Sequence, residues 1–330
     1  MKSVVCKYSF KIALVLLIAG CASEPAIQPD ESYRDIGGAI DHPNNYSAGT
    51  LTGIYANSQP VHNFIQHMVH VHGFSESYLN GLFSRANRLQ SVINLEGDAF
   101  QPPGTKPAPP RPGSWTRYRK QFITEAHINH GVEFWSNNAD AIQKASATYG
   151  VDPEYIVAII GVETFFGRNV GKTCTFNALT TLAFDTQRRA KFFTTELENF
   201  LLMTREEGYE PLKPVGSWAG AMGLGQFMPS SFRTLAVDFN NDGHRDLWHQ
   251  HDAIGSVAHY FSRSGWQNNM PVAEQIRGNY GESIIALSTD HGNEYWHVHP
   301  NFKVIKKYNN SDKYAMAVHQ LAQAIKQRYL

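Results

Sequence analysis

From Val61 onward, apolar residues return at three- and four-residue spacing. Phe64, Ile65, Met68, Val69 and then His72 follow that repeat, which predicts an amphipathic helix. A second helical stretch runs from about Ser75 to Val92 through Tyr78, Leu82, Ala86 and Leu89. Thr124 stands where a cap would open a helix containing Ile128 and Val132, and Asn138 to Tyr149 reads as the next. Asp152-Pro153-Glu154 is a strong helix start: a capping Asp, a proline whose missing N–H is harmless in the first turn, and an early acid. Ile156, Ile159, Ile160 and Glu163 lie in the body of that helix. Phe192 to Glu206, Ile254 to Ser264 and Tyr314 to Tyr329 repeat the pattern, whereas Ile284–Leu287 and Phe302–Ile305 look like short strands between turns. The expectation is a mainly α (α+β) protein, helical over about 59–267 and 309–330, with a small β part over about 268–308.

Two segments break the periodicity. Residues 22–58 are rich in Pro, Asn, Ser, Gly and Asp and read as a flexible tether. The prolines of residues 101–114 favour an extended, stiff connection. The chain opens differently again. Lys2, Lys7 and Lys11 precede an apolar run, Ile12 to Ala19, that is too short to span a bilayer comfortably, and it ends in Ile18-Ala19-Gly20-Cys21. Small residues before a cysteine resemble a bacterial lipobox. That resemblance implies a signal peptide over 1–20, lipidation at Cys21, a tether over 21–58 and one folded unit over 59–330. Ala22 and Ser23 follow Cys21 with no Asp beside it, which resembles the address of a Gram-negative outer-membrane lipoprotein facing the periplasm.

Composition narrows the function. Among 330 residues, Lys+Arg and Asp+Glu both number 29, so no basic footprint for nucleic acid is present. With Cys6 in the leader and Cys21 lipidated, Cys174 has no intrachain partner and reads as a structural thiol.

Glu163 lies in GVETFFGR (161–168), and on a continuous helix it would share a face with Ile159, Ile160 and Phe166. Apolar surroundings favour a neutral carboxyl, the form a glycosidase needs to protonate a leaving oxygen. Pairing with nearby Arg168 is the ordinary alternative. About fifty residues on, GSWAGAMGLGQFMPSSF (216–232) combines close-approach glycines with the polar Ser217 and Gln226 and the aromatic Trp218 and Phe227, which could stack on sugar rings. It lacks the lysine of a nucleotide-binding P-loop.

Taken with Trp115-x-x-Tyr118, VDFNNDGHRDLW (237–248), DAIGSVAHYF (252–261) and YNNSDKYAMAVHQLAQAI (308–325), these motifs resemble the membrane-bound lytic murein transglycosylase B family over roughly residues 60–270 and 295–330. The resemblance implies a lysozyme-like helical core with an extra helical region, a groove for peptidoglycan glycan strands and Glu163 as acid then base. The product would be a 1,6-anhydromuramoyl end. It places substrate contacts on Tyr118, Ser217, Gln226, Tyr260, Tyr308, Asn309 and Tyr314. A hydrolytic muramidase on the same fold and a non-catalytic wall-binding tether are the competing readings. No organic cofactor is expected. A monomer is, with the membrane as a partner through the lipid and wall-synthesis proteins as further partners. Phe165-Phe166 stands where that family carries Arg-Trp, so one charge beside Glu163 is lost. Arg188 and Arg189 could meet peptide-stem carboxylates.

Asp238, Asn240 and Asp242 occupy positions 1, 3 and 5 of an EF-hand-like loop, Gly243 position 6, and the His244 carbonyl position 7. Position 12 is His249 rather than Glu. The family's longer loop would put the last carboxylate on Asp252. The expected occupant is a structural Ca²⁺ or Na⁺.

Overall fold

The computed structural model describes residues 46–98, 111–279 and 281–330. The leader, Cys21 and most of the proline-rich segment therefore lie outside the described residues.

In chain order the first helices are α1 (Gln59–His72), α2 (Glu76–Phe83), α3 (Gln90–Asp98), α4 (Ser114–Arg119), α5 (Glu125–Asn137), α6 (Ala139–Tyr149) and α7 (Pro153–Thr164). The last of these organises the fold. Ile156, Val157, Ala158, Ile159 and Ile160 are all fully buried, and a helix apolar on every side belongs inside a core. It is covered by α5, α6, α11 (Gln250–Arg263) and α13 (Asp312–Tyr329). A second packed group joins α3, α8 (Thr175–Phe184), α9 (Ala190–Glu206) and α10 (Pro229–Leu235). The pair β1 (Thr173–Cys174) and β2 (Val215–Gly216) closes the chain around α8 and α9. A three-stranded antiparallel sheet of β3 (Ala273–Ile276), β4 (Ile284–Thr289) and β5 (Gly292–Val298), in the order β3-β5-β4, is followed by α12 (Pro300–Tyr308). No described helix is long and apolar enough to cross a membrane.

Several local expectations hold. The Thr124 hydroxyl accepts from the His127 N–H at the start of α5. Pro153 opens α7, although Asp152 does not cap it; its carboxylate instead accepts from Trp266 Nε1 at 2.9 Å. Ile284–Leu287 is strand, as expected.

Three expectations are corrected. The helix read from Ser75 to Val92 is two, broken over 84–89. There the N–H groups of Asn87 and Leu89 turn to Asn177 Oδ1 and Thr181 Oγ1 on α8, at 2.9 and 3.0 Å. Phe302–Ile305 is helical, within α12, so the β part ends at Val298. Phe302 and Ile305 are buried, and Lys303, Lys306 and Lys307 surround them in sequence, a pattern that three-residue spacing explains as well as alternation does. The tether gives way to packed chain by Tyr46. Tyr46, Leu51 and Tyr55 are buried, and the two tyrosine hydroxyls donate to Glu210 and Asp185 at 2.8 and 2.6 Å.

Candidate active site

The last turn of α7 carries Glu163, and the chain then reverses through three consecutive left-handed residues: Phe165 (φ 52°), Phe166 (φ 58°) and Gly167 (φ 81°). The Phe165 and Phe166 N–H groups bond back to Gly161 and Ile160, closing the helix end. Left-handed phenylalanine is costly, on the order of 1–3 kcal/mol per residue, and packing holds it here. Phe166 therefore leaves the helix face on which the sequence placed it. Its ring instead lies so close to Gly161 that an added Cβ there would come within 2.5 Å of Cζ. Thr164 ties this elbow to the glycine-rich loop: its hydroxyl donates toward Ile160 O and Leu224 O, at 3.1 and 3.0 Å, and accepts from Gly167 N–H. Sequence reasoning passed over Thr164; its only signal was a polar residue beside Glu163 in an otherwise apolar helix.

Glu163 keeps part of its surface accessible. Burial of the rest pushes its carboxyl up to about 7, against the opposing pull of the Tyr314 hydroxyl, which donates to Oε1 at 2.5 Å. Arg168 does not pair with it; that guanidinium meets Glu133 at 3.0 Å. Desolvation thus prevails, and near neutral pH a large share of the acid still carries its proton, far more than an ordinary carboxyl would.

Tyr118 of α4, Tyr308 of α12 and Tyr314 of α13 all lie close enough to Glu163 for its charge, after burial, to raise their phenol pKa values further. Tyr308 donates to Gly225 O at 2.5 Å, and the Tyr260 ring lies beside it, tilted by 54° with ring centroids 4.6 Å apart. The Tyr260 hydroxyl is used on Lys307 O. Asn309 ends α12 and accepts from Ser311 N–H through its backbone.

Gln226 takes a left-handed conformation (φ 53°) and donates from Nε2 to Gly223 O and Val170 O at 2.9 and 3.2 Å, leaving Oε1 able to accept from a ligand. The Ser217 oxygen accepts from the Ala219 and Ala221 N–H groups, so its own proton is free to be donated. Gly223 is required: at φ 70° a Cβ would come within 2.5 Å of Leu247 O. Trp218 is half-buried, but Phe227 is 3% exposed and packs on Tyr260 and Tyr308, so it supports the site instead of stacking on a sugar. A recess of about 390 Å³ lined by Phe166, Arg168, Leu224 and Trp248 lies behind the elbow and does not include Glu163.

Arg188 and Arg189 are engaged within the protein. Both meet the buried Glu96, at 2.9 and 2.6 Å. Burial would raise that carboxyl, but the two guanidinium groups outweigh burial and hold it below its ordinary range. Cys174 is half-buried, and burial pushes its thiol up, away from the reactive thiolate.

The 238–252 loop is closed by its own carboxylates. Asp238 accepts from Asp242 and Gly243 N–H, Asn240 Oδ1 from Asp242 N–H, and Asp242 from His244 N–H. Asp252 is fully buried and accepts from Phe239, Asn240 and Asp246 N–H at 2.9, 3.2 and 2.8 Å. Asp246 is occupied with Trp248 and His249 N–H. Oxygen donors gathered on a turn of this kind fit a hard cation.

The sequence matches the transglycosylase SLT domain family over residues 56–284 and 278–323. It is 41% identical over 354 aligned residues to membrane-bound lytic murein transglycosylase B of Escherichia coli (strain K12), covering 97% of each chain. The fold is similar to the E. coli lytic transglycosylase Slt35 in complex with bulgecin A (TM-score 0.79, 43% identity, 85% of this chain and 96% of that one). The same protein in complex with calcium matches equally well. It is also similar to SltB3 from Pseudomonas aeruginosa in complex with NAG-anhNAM-pentapeptide (TM-score 0.69, 27% identity, 81% and 78%).

Proposed function

As the chain belongs to the transglycosylase SLT domain family, we propose that it is a lytic murein transglycosylase in which Glu163 alone serves as acid and then base. One observation carries this reading: the Glu163 carboxyl is raised to about 7 by burial and oriented by Tyr314, with no second ionised group among the described residues shifting it. Glycosidases that activate water or form a covalent intermediate use two carboxylates. One suffices when the attacking hydroxyl belongs to the substrate. Glu163 gives its proton to the oxygen joining N-acetylmuramic acid to N-acetylglucosamine, and the C1–O bond breaks. The resulting carboxylate takes the proton of the muramoyl C6 hydroxyl as that oxygen bonds to C1. The proton count closes without water. The Ser217 hydroxyl and Gln226 Oε1 offer a donor and an acceptor to the sugars, Tyr118, Tyr260, Tyr308 and Asn309 would line the same groove, and Tyr314, fully buried, serves the substrate through Glu163.

Muropeptides released from purified peptidoglycan should carry 1,6-anhydro ends by mass spectrometry. Reducing ends would move the reading to a hydrolytic muramidase, and no release with sacculus binding retained would favour a tether.

Asp238, Asn240, Asp242, the His244 carbonyl and Asp252 would hold Ca²⁺, whose charge would pin the loop to α11 beside the groove. The solved relative in complex with calcium and the oxygen donor set support this. The membrane-bound name of the E. coli relative and the lipobox-like Ile18-Ala19-Gly20-Cys21 support anchoring through Cys21 to the periplasmic face of the outer membrane. A Cys21→Ala protein should move from the outer-membrane to the soluble periplasmic fraction on cell fractionation, and one that stays with the membrane sinks that assignment.

A further inference from the structure

We infer that Glu274, His297 and His299 form a binding site for a divalent ion of the zinc type, separate from the oxygen-lined loop at 238–252. The sheet places all three residues on one face. Glu274 on β3 is directly opposite His297 on β5. His299, two residues further along an extended chain, points to the same side as His297. Their ligand atoms, two imidazole nitrogens and a carboxylate oxygen, all lie within 4.8 Å of one another.

Two observations single this cluster out. His299 Nε2 is buried and has no hydrogen-bond partner, a deficit that ordinarily destabilises a fold. That same atom is 3.5 Å from Glu274 Oε1. The separation exceeds the roughly 2.7–3.2 Å of a hydrogen bond. It is close to the ~3.3 Å between two ligands that a tetrahedral zinc holds at about 2.0–2.1 Å each. His297 and His299 do not stack; their rings stand nearly perpendicular, at 87°.

A second cluster, His67, His72 and Glu198, is equally close. There, however, His72 Nε2 already meets Glu198 Oε1 at 2.6 Å, so its polar atoms satisfy one another. Two imidazoles and one carboxylate are a borderline-soft set that suits zinc and leaves a fourth position for water. Calcium takes oxygen ligands and would not compete. An ion here would clip β3, one edge strand of the sheet, to β5 and to the residue just before α12. The far end of that helix is Tyr308, against Gly225 O. The site would therefore fix one wall of the groove without touching substrate.

The test is titration of the full-length protein, free of any polyhistidine tag and saturated with calcium, with Zn²⁺ by calorimetry and with Co²⁺ by visible absorption. One zinc per chain is expected, with tetrahedral cobalt bands and no thiolate charge-transfer band. His297→Ala and the exposed-site Glu274→Gln should each weaken binding at least tenfold, with unfolding in chelator unchanged for one or both. His67→Ala should leave binding intact. The inference is overturned by the absence of stoichiometric zinc, by binding that both sheet variants retain, or by binding lost only in His67→Ala.

Discussion

Glu163→Gln should abolish release of anhydromuropeptides while making the protein more stable above neutral pH. Loss of a general acid and base removes about 10²–10⁴-fold in rate for each role, so turnover should fall by about 10³-fold or more. Binding to sacculi should persist, because glutamine keeps the shape and can still accept from Tyr314. The stability gain follows from the raised carboxyl pKa. A carboxyl at about 7 in the folded state and 4.5 when free favours folding below pH 4.5, and that contribution is lost as pH rises through 7. Glutamine carries no such dependence. The variant should match the parent near pH 4 and exceed it by about 3 kcal/mol at pH 8. Urea unfolding at the two pH values checks this, and lytic rate should fall above pH 7 in the parent as the proton leaves. A variant that keeps a tenth of the activity, or gains no stability at pH 8, contradicts the assignment.

Asp252→Ala should be the most damaging change to the loop, by about 3–5 kcal/mol. Its carboxylate satisfies three backbone N–H groups from a fully buried position, and each donor stranded without water costs about 1–3 kcal/mol. Asp238 accepts two N–H bonds at the exposed tip, where water can replace it, so Asp238→Ala should cost only about 1 kcal/mol in chelator. Both carboxylates would also hold the ion. Calcium at a hundredfold excess over its Kd adds about 2.7 kcal/mol to the parent, and Asp238→Ala should lose that gain entirely. Thermal unfolding of both variants with chelator and with calcium measures each quantity. An Asp252→Ala protein as stable as the parent in chelator, or a full calcium response in Asp238→Ala, would refute this division of labour.

What the sequence disclosed depended on how far each determinant lay along the chain. The helices built on local period, α1, α5, α6, α7, α9, α11 and α13, were legible because their apolar spacing is self-contained. The interruption at 84–89 was not, because its cause is Asn177 and Thr181, some ninety residues away. Phe302–Ile305 fits either period over so few residues, and only the partners it meets decide. At the site, GVET pointed to the carboxyl that burial raises, and the resemblance pointed to Tyr118, Tyr308 and Tyr314, which lie close to it. The elbow escaped notice because phenylalanine is a poor candidate for left-handed backbone, so nothing local announced that Phe166 would leave the helix. Phe227 looked like a sugar platform and is core, since aromatic type says nothing about which side of a loop faces solvent.

The covering of α7 by α13 has a consequence for how the protein is made. Glu163 and Tyr314 are 151 positions apart, and the apolar run over residues 156–160 before Glu163 waits for α13, the last element packed on it, before its cover is complete. As the chain is threaded out in order, this apolar segment emerges well before its cover and is exposed to neighbouring chains until α13 follows. The same order has a second effect. A polypeptide cut short before Asp312 has Glu163 but neither the phenol that meets its carboxyl nor the helix packed over α7, so an unfinished molecule lacks the surroundings that set the state of this carboxyl.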